Sequence, residues 1–352
     1  METLLMNRLD HAPGGQLCCP VTDSSHVSAV RRTASDMALR QGFGATQCGE
    51  AAIVATEAAT NILKHAGQGE ILLRPLRCRD ATGIELLAID NGPGMASLPA
   101  SMEDGRSTAG SYGVGLGAMA RLSASLDAWS APGRGAVFAL SLWRGGAPPG
   151  AGEGGSPLQL GLVSQALPGE TECGDDWAVA CDATGATVLV ADGLGHGGQA
   201  AIAAQAAVAT VMALPGRQAA LLLEEAHLAL RGTRGAAVAV VRIDMLVERL
   251  VLAGVGNVAC HAWLGQARRQ LVSHNGIVGS NMRKVQEFDT QWGPEGMLIL
   301  HSDGIGTRWN LDDYPGLAMR HPAVIAAVLF RDFGRRRDDA TVLVLRDARR
   351  NA

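Results

Sequence analysis

The stretch ADGLGHGGQAA, residues 191–201, sets four glycines around an aspartate and a histidine and then runs into alanines. A glycine turn opening a helix commonly cradles phosphate, because free backbone N–H groups and the helix dipole favour an anion there. No lysine follows here to neutralise a phosphate, and Asp192 puts a negative charge into the turn itself. The competing occupant is a cation, since the Asp192 carboxylate and the Gly193 carbonyl are both hard oxygen donors. The rest of the chain decides between the two.

Acids recur at turn-like positions beside short β-like runs: CGDDWAV with Asp175 and Asp176, VADGLGHG with Asp192, LHSDGIG with Asp303, and RRRDDATVLVL with Asp338 and Asp339. A single Asp-Gly pair only marks a turn. Several acids at strand edges can converge on one end of a sandwich, where uncompensated carboxylates repel and raise one another's pKa values. A pair of divalent cations removes that cost, and oxygen ligands without a Cys/His set favour Mg²⁺ or Mn²⁺ over zinc. The opening turn therefore reads as a metal-binding turn.

At 352 residues the chain accommodates two domains, and the Gly/Pro-rich stretch RGGAPPGAGEGGSP (144–157) divides it. The expected organisation is a domain over 1–144, a linker over 145–157 and a second domain over 158–352. The second half carries strand-like runs (WAVACDA, TVLVADG, GAAVAVVRID, RLVLAGVG, MLILHSDG, ATVLVLRD) around two Ala/Leu-rich helices near 199–213 and 216–231. That order implies an α+β sandwich. A net charge of −4 gives no reason to expect nucleic acid or an acidic membrane as partner. The seven cysteines fall in no zinc-like spacing and read as free thiols of a reducing cytoplasm. METLLMNRLDHAPGG is too polar, and too soon broken by Pro13, for a signal peptide. The Ala-rich run at 199–214 reads as a buried helix and not a membrane span. A soluble cytoplasmic protein is expected.

The first half carries different chemistry. In VATEAATNILKHA (54–66), Glu57 and Asn61 are four apart and share one helix face, with His65 a turn further on. A carboxylate there can take a proton while an amide oxygen ligates Mg²⁺. IELLAID (84–90) reads as a buried strand ending at Asp90. The turn that follows, NGPGM with Gly92 and Gly94, leaves that carboxylate facing a cleft, where it can accept from an exocyclic amine. EDGRSTAGSYGVGLGAMARL (103–122) then delivers Gly113, Gly115 and Gly117 to a helix start suited to a phosphate chain.

These three stations resemble the GHKL ATPase/kinase superfamily, and EAATN with DGRSTAGSYGVGLGAMARL looks like the RsbT-type anti-sigma serine kinases. The resemblance implies a Bergerat-type α/β sandwich binding ATP with Mg²⁺, with Glu57 as the base that activates a protein serine. It makes Asn61 a Mg²⁺ ligand and Asp90 the adenine reader. Family members place a threonine after the last glycine of a GxGT turn, whereas APGRGAVFAL has Ala136 there. A missing hydroxyl of this kind is worth about 0.5–1.5 kcal/mol.

The acidic stations, with AGVGNV (253–258) and HNGIVG (274–279), resemble PP2C-type metal-dependent serine/threonine phosphatases of the SpoIIE/RsbX branch. This implies a PP2C-like α-β-β-α sandwich holding two Mg²⁺ or Mn²⁺. By resemblance Asp192 bridges both ions, Asp303 and Asp338 complete one of them, and Asp175 supports the other; Asp339 is the alternative to Asp338. Two such ions lower the pKa of a bridging water, so no protein nucleophile is required. His196 is a candidate to protonate the leaving alkoxide, and Arg335–Arg337 to steer a phosphoprotein; the plain alternatives are a backbone hydrogen bond and a solvated face.

A serine kinase and a serine-phosphate phosphatase on one chain imply opposed actions on one regulator. In the resembling families that is a STAS-domain antagonist in a partner-switching pathway, upstream of a sigma-factor regulator or second-messenger enzyme. Two alternatives stay open: a phosphatase whose ATP domain only senses or docks, and a non-enzymatic switch that binds a sigma factor.

Overall fold

The computed structural model describes residues 7–9, 15–78, 80–96, 114–146, 158–265 and 267–349. By contacts the chain forms two compact units. One comprises Ala12–Gly155 and Asn310–Arg331, the other Met1–His11, Ser156–Trp309 and Asp332–Ala352. The changeover at 155–156 falls within the Gly/Pro stretch, most of which lies outside the described residues. Residues 310–331, from the far half of the sequence, group with the first unit.

Elements are numbered along the chain from β1 (Asn7–Leu9), a strand of the second unit. The first unit contains β2 (Leu17–Val21), α1 (Ser24–Arg40), α2 (Ala45–His65), β3 (Gly69–Cys78), β4 (Ala81–Asp90), α3 (Val114–Leu122), β5 (Ser125–Ser130) and β6 (Ala136–Trp143). Its strands pair antiparallel in the order β2-β3-β4-β6-β5. The start of α1 is set by Asp23, whose carboxylate accepts the Ser25 N–H at 2.8 Å. Val30, Ala34, Met37 and Ala38 recur at helical spacing and form its buried stripe. The buried face of α2 is small: Ala51, Val54, Ala55, Ala58, Ala59 and Ile62, which lets it lie close to the sheet. Ile71, Leu73, Ile84, Leu86, Ala88, Phe138 and Leu140 meet these helices from the sheet.

Helix α3 stops at Leu122, and Ser125 already begins β5. Residues 310–331 are tied to the same sheet. Trp129 Nε1 donates to Pro315 O at 3.0 Å, its ring lies 5.4 Å from that of Tyr314, and the Asp127 carboxylate accepts from the His321 N–H.

The second unit contains β7 (Leu158–Gln165), β8 (Asp175–Cys181), β9 (Gly185–Gly193), α4 (Gly198–Ala213), α5 (Ala219–Ala229), β10 (Ala236–Asp244), β11 (Arg249–Val255), β12 (Ala259–Leu264), β13 (Ala267–Leu271), β14 (Glu287–Gln291), β15 (Met297–His301) and β16 (Ala340–Asp347). Helix α6 (Pro322–Phe333) precedes β16 in sequence. One antiparallel sheet runs β14-β11-β10-β9-β8-β1, and the other β13-β12-β15-β16-β7.

Side-chain parity explains the continuous apolar run of β9. Val188 and Val190 face the core between the two sheets, while Leu189 and Ala191 face a second core beneath α4 and α5. On β8, Trp177, Val179 and Cys181 share the inter-sheet core. The same parity puts Asp175 and Asp192 on the inter-sheet side at the strand ends.

Leu189 is fully buried and Leu246 is 72% exposed. Leu189→Ala should therefore destabilise the protein by about 2–5 kcal/mol, whereas Leu246→Ala should stay within about 0.5 kcal/mol. Urea titration of both variants tests the assignment of the two faces; equal shifts would contradict it.

Candidate functional site

Two constellations form, one in each unit. In the first, α2 carries Glu57 and Asn61 on one face, and α3 begins against it. A Cβ built on Gly115 would lie 2.6 Å from Glu57 Oε2 and 3.7 Å from Asn61 Oδ1, so the helix starts directly against both side chains and a larger residue would displace the Glu57 carboxylate. Gly117 is a turn-interior residue of α3, and Gly113 lies outside the described residues. Asn61 Nδ2 is buried without a partner, an orphaned donor that a phosphate oxygen would satisfy. A groove of about 440 Å³ between α1 and α2 is lined by Glu57 together with Arg31, Arg32 and Ile53.

The far end of α2 reaches Asp90. Asp90 Oδ1 accepts the Gly92 N–H at 2.8 Å and the Ala136 N–H at 3.2 Å. The missing threonine hydroxyl is thus bypassed in holding Asp90, because the backbone of residue 136 does it. Burial raises the Asp90 pKa, and the two N–H bonds and Arg331 oppose that rise. The turn after it admits no side chain at Gly94, which has φ +69° and where a Cβ would fall 2.0 Å from Ala131 O. Arg331 donates to the Asp90 carbonyl at 3.2 Å. The orphaned Asn61 donor and the approach of Gly115 to Glu57 and Asn61 both fit a nucleotide.

In the second unit the register pairs Asp175 directly with Asp192 across β8 and β9. Like charges in that position repel. Burial, and then the Asp192 charge, push Asp175 well above the usual carboxylate range. Asp192 is raised to about 7 by burial, then by Asp303 and Asp338. The Ser302 and Thr341 hydroxyls hydrogen-bond to Asp175, while its Oδ2 is buried without a partner.

The other acids arrive from the second sheet. The β15–β16 pairing continues beyond the strands, Ser302 N–H donating to Thr341 O at 3.1 Å, so Asp303 lands beside Asp338. Their carboxyls share a hydrogen bond. Asn257 Nδ2 donates to Asp303 Oδ2 at 2.5 Å. Asp339 Oδ1 accepts the Leu167 N–H at 2.8 Å and its Oδ2 is buried against Gly174, while its charge still raises both Asp175 and Asp192. Gly193 closes the strand with its N–H on Gly174 O at 3.0 Å, and a Cβ there would meet Ala200 O of α4 at 2.1 Å. His196 Nδ1 lies 2.7 Å from Glu170 Oε1. The thiol of Cys173 is pushed up by burial and by Asp175 and Asp339, which leaves no thiolate nucleophile there.

Among the described residues no group of three or more His, Cys, Asp or Glu side chains closes into a metal-sized cluster. The carboxylates approach pairwise, and the orphaned oxygens of Asp175 and Asp339 with the raised pKa values fit divalent cations. Sequence reasoning missed Asn257, Ser302 and Thr341 as supports. Asn257 stood in a segment already singled out, but its partner is 46 residues away.

Residues 20–139 match the model of the histidine kinase-like ATPase domain, and residues 182–347 that of the stage II sporulation protein E (SpoIIE) family. The chain is a fusion of a GHKL-like ATPase domain with a PP2C/SpoIIE-like phosphatase domain. The folds are accordingly a Bergerat-like α/β domain and a PP2C-like α-β-β-α sandwich. The serine/threonine-protein kinase RsbT of Bacillus subtilis (strain 168) is 30% identical over 128 residues, covering 36% of this chain and 96% of RsbT. A solved structure described as "The bacterial stressosome: a modular system that has been adapted to control secondary messenger signaling" is 28% identical, with a TM-score of 0.51, covering 54% of this chain and 99% of that one. RsbX in complex with magnesium is 19% identical, with a TM-score of 0.47, covering 54% of this chain and 94% of that one. The chain therefore resembles stressosome-type partner-switching regulators. Among the described residues no helix is long and apolar enough to cross a membrane.

Because the folded Asp192 pKa lies above its unfolded value, the native state binds the extra proton between about pH 4 and pH 7. Stability of the metal-free protein should fall as pH rises through that window. Metal binding must displace the proton, so Mn²⁺ should raise the melting temperature more at about pH 8 than at about pH 5.5. Asp175→Asn should raise the metal-free melting temperature at the higher pH and shrink the Mn²⁺ increment. Thermal denaturation with and without Mn²⁺ reads both; a pH-independent increment would contradict the assignment.

Proposed function

We propose that the chain phosphorylates and dephosphorylates one serine on a STAS-domain antagonist protein, as a two-way regulator in a partner-switching pathway. The observation that carries the reading is the pairing, on one chain, of an RsbT-like Glu57/Asn61/Asp90 constellation with the opposed acids Asp175 and Asp192. In the first reaction Glu57 takes the proton from the seryl hydroxyl as its oxygen attacks the terminal phosphorus of ATP, the bond to the β,γ-bridging oxygen breaks and ADP leaves. The groove along α1 and α2 leads to Glu57, and so opens the base to a protein side chain. Asp90, held in place by two backbone N–H groups, reads the adenine amine, Asn61 holds Mg²⁺, and the α3 start with Gly115 receives the phosphates.

In the second reaction Asp192, Asp175, Asp303 and Asp338 hold two Mg²⁺ or Mn²⁺, with the Gly193 carbonyl beside Asp192. Such ions, when bound, supply a hydroxide at neutral pH for attack on phosphorus. Asp338 takes this role in preference to Asp339, because it meets Asp303 while Asp339 braces the Leu167–Gly174 loop. His196, oriented through Nδ1 by Glu170, is placed to protonate the leaving alkoxide. The protein acts in the cytoplasm, and the antagonist controls a sigma-factor regulator or a second-messenger enzyme.

The test uses a purified STAS antagonist with γ-labelled ATP, Mg²⁺ and Asp192→Ala protein, which retains any phosphate added. Label on serine that disappears with Glu57→Ala in the same chain is the expected result. No label, with ATP binding intact and wild-type protein still dephosphorylating the phosphorylated antagonist, would make the first domain a sensor. A stable sigma-factor complex indifferent to both substitutions would replace the enzymatic reading altogether.

A further inference from the structure

The turn GTRG, residues 232–235, lies beside the metal-binding turn and has been given no role. The antiparallel ladder of β9 and β10 pairs Gly193 with Ala236, and it continues as Leu194 N–H donates to Gly235 O at 3.0 Å. One step further, Arg234 lies opposite Gly195. Its Nη1 is 3.0 Å from the position of a Cβ on Gly195, which has φ +92°. The guanidinium thus rests on the bare backbone of the turn that carries Asp192.

The GTRG turn is built to hold this arginine still. Thr233 Oγ1 donates to Leu230 O at 2.7 Å and accepts the Gly235 N–H at 3.0 Å. Gly235 has φ +81°, and a Cβ there would lie 2.6 Å from Ile277 Cγ2 and 2.7 Å from Val278 O. The turn can neither swing nor accept bulk. Yet Arg234 is exposed and, among the described residues, makes no ion pair or hydrogen bond, although its turn is paired with the one that carries Asp192. Arg335, by contrast, has its charge set against Asp303, whose pKa it lowers.

We propose that Arg234 is the phosphate-binding residue of the phosphatase site, taking oxygens of a phosphoseryl monoester through its guanidinium fork. This rests on the phosphatase reading above. A phosphate dianion approaching a ring of carboxylates needs a fixed positive group that those carboxylates have not neutralised, and a planar fork matches two phosphate oxygens. Arg234 supplies that group from a rigid turn whose backbone is hydrogen-bonded to the Asp192 turn.

The test compares wild type, Arg234→Ala and Arg234→Lys as full-length, Mn²⁺-loaded proteins hydrolysing p-nitrophenyl phosphate, with inorganic phosphate as competitive inhibitor. Loss of a charge-assisted contact predicts a rise of about tenfold or more in both KM and the phosphate Ki for Arg234→Ala, with a much smaller change in kcat. Lysine should recover part of both, and the Mn²⁺ concentration for half-activation should not move. Unchanged KM and Ki in Arg234→Ala, or a shift explained by weaker Mn²⁺ activation, would overturn the proposal while leaving the phosphatase reading intact. Wild-type protein without turnover would instead sink the phosphatase reading. Calorimetric titration of inorganic phosphate into the Mn²⁺-loaded proteins then decides the arginine: weaker binding by the alanine variant supports it, and equal binding overturns it.

Discussion

Asp175 and Asp192 face one another across neighbouring strands, at the end of a core that is otherwise apolar. A pair of buried like charges is costly in a folded protein, and the surrounding structure is arranged around that cost. Ser302 and Thr341 offer hydroxyls to Asp175, and Asn257 offers an amide to Asp303. None of these contributes a positive charge, so the carboxylates retain proton affinity that a cation can exploit. The strands supply rigidity: both acids sit on paired β backbone, and Gly193 admits α4 so closely that the turn beyond Asp192 cannot relax.

The ATPase domain solves a different problem by related means. It brings a carboxylate and an amide of α2 close to the start of α3. The small residues of α2 bring the helix down onto the sheet, and Gly115 brings α3 down onto α2. Glycines likewise let the turns after β4 and before β6 interlock, with Gly135 N–H donating to Gly92 O and Gly133 N–H to Pro93 O. That interlock presents the Ala136 N–H to Asp90. The side chain at 136 is dispensable for holding Asp90, since the backbone donor comes with the fold.

Strong local patterns were legible without coordinates. The apolar runs of β4 and β9, each ending at an acid, and the Ala-rich α2 with Glu57 and Asn61 appear in the sequence reading nearly as they appear in the structure. Weak elements were not. The strand ARRQL is exposed along most of its length and EFDTQ alternates only partly buried positions, so neither carries an apolar run. Helix α1 begins in a polar stretch and is recognisable mainly through its Asp23 cap. The segment Ser125–Ser130 keeps helix-compatible residues, and its pairing with β6 makes it a strand.

Local chemistry thus determined the residue types, the acid-glycine strand ends and the family resemblance, because each depends on neighbours a few positions away. Tertiary structure decided which groups meet. The register of β8 on β9 set Asp175 against Asp192, and the pairing of β15 with β16 chose Asp338 as the partner of Asp303. The grouping of residues 310–331 with the first unit, and the resting of Arg234 on Gly195, have no local signature either. Side chains alternate faces at every residue of a strand, so a shift of one position in a distant pairing would move each acid to the opposite side of the sheet. Only the assembled sheets fix that position.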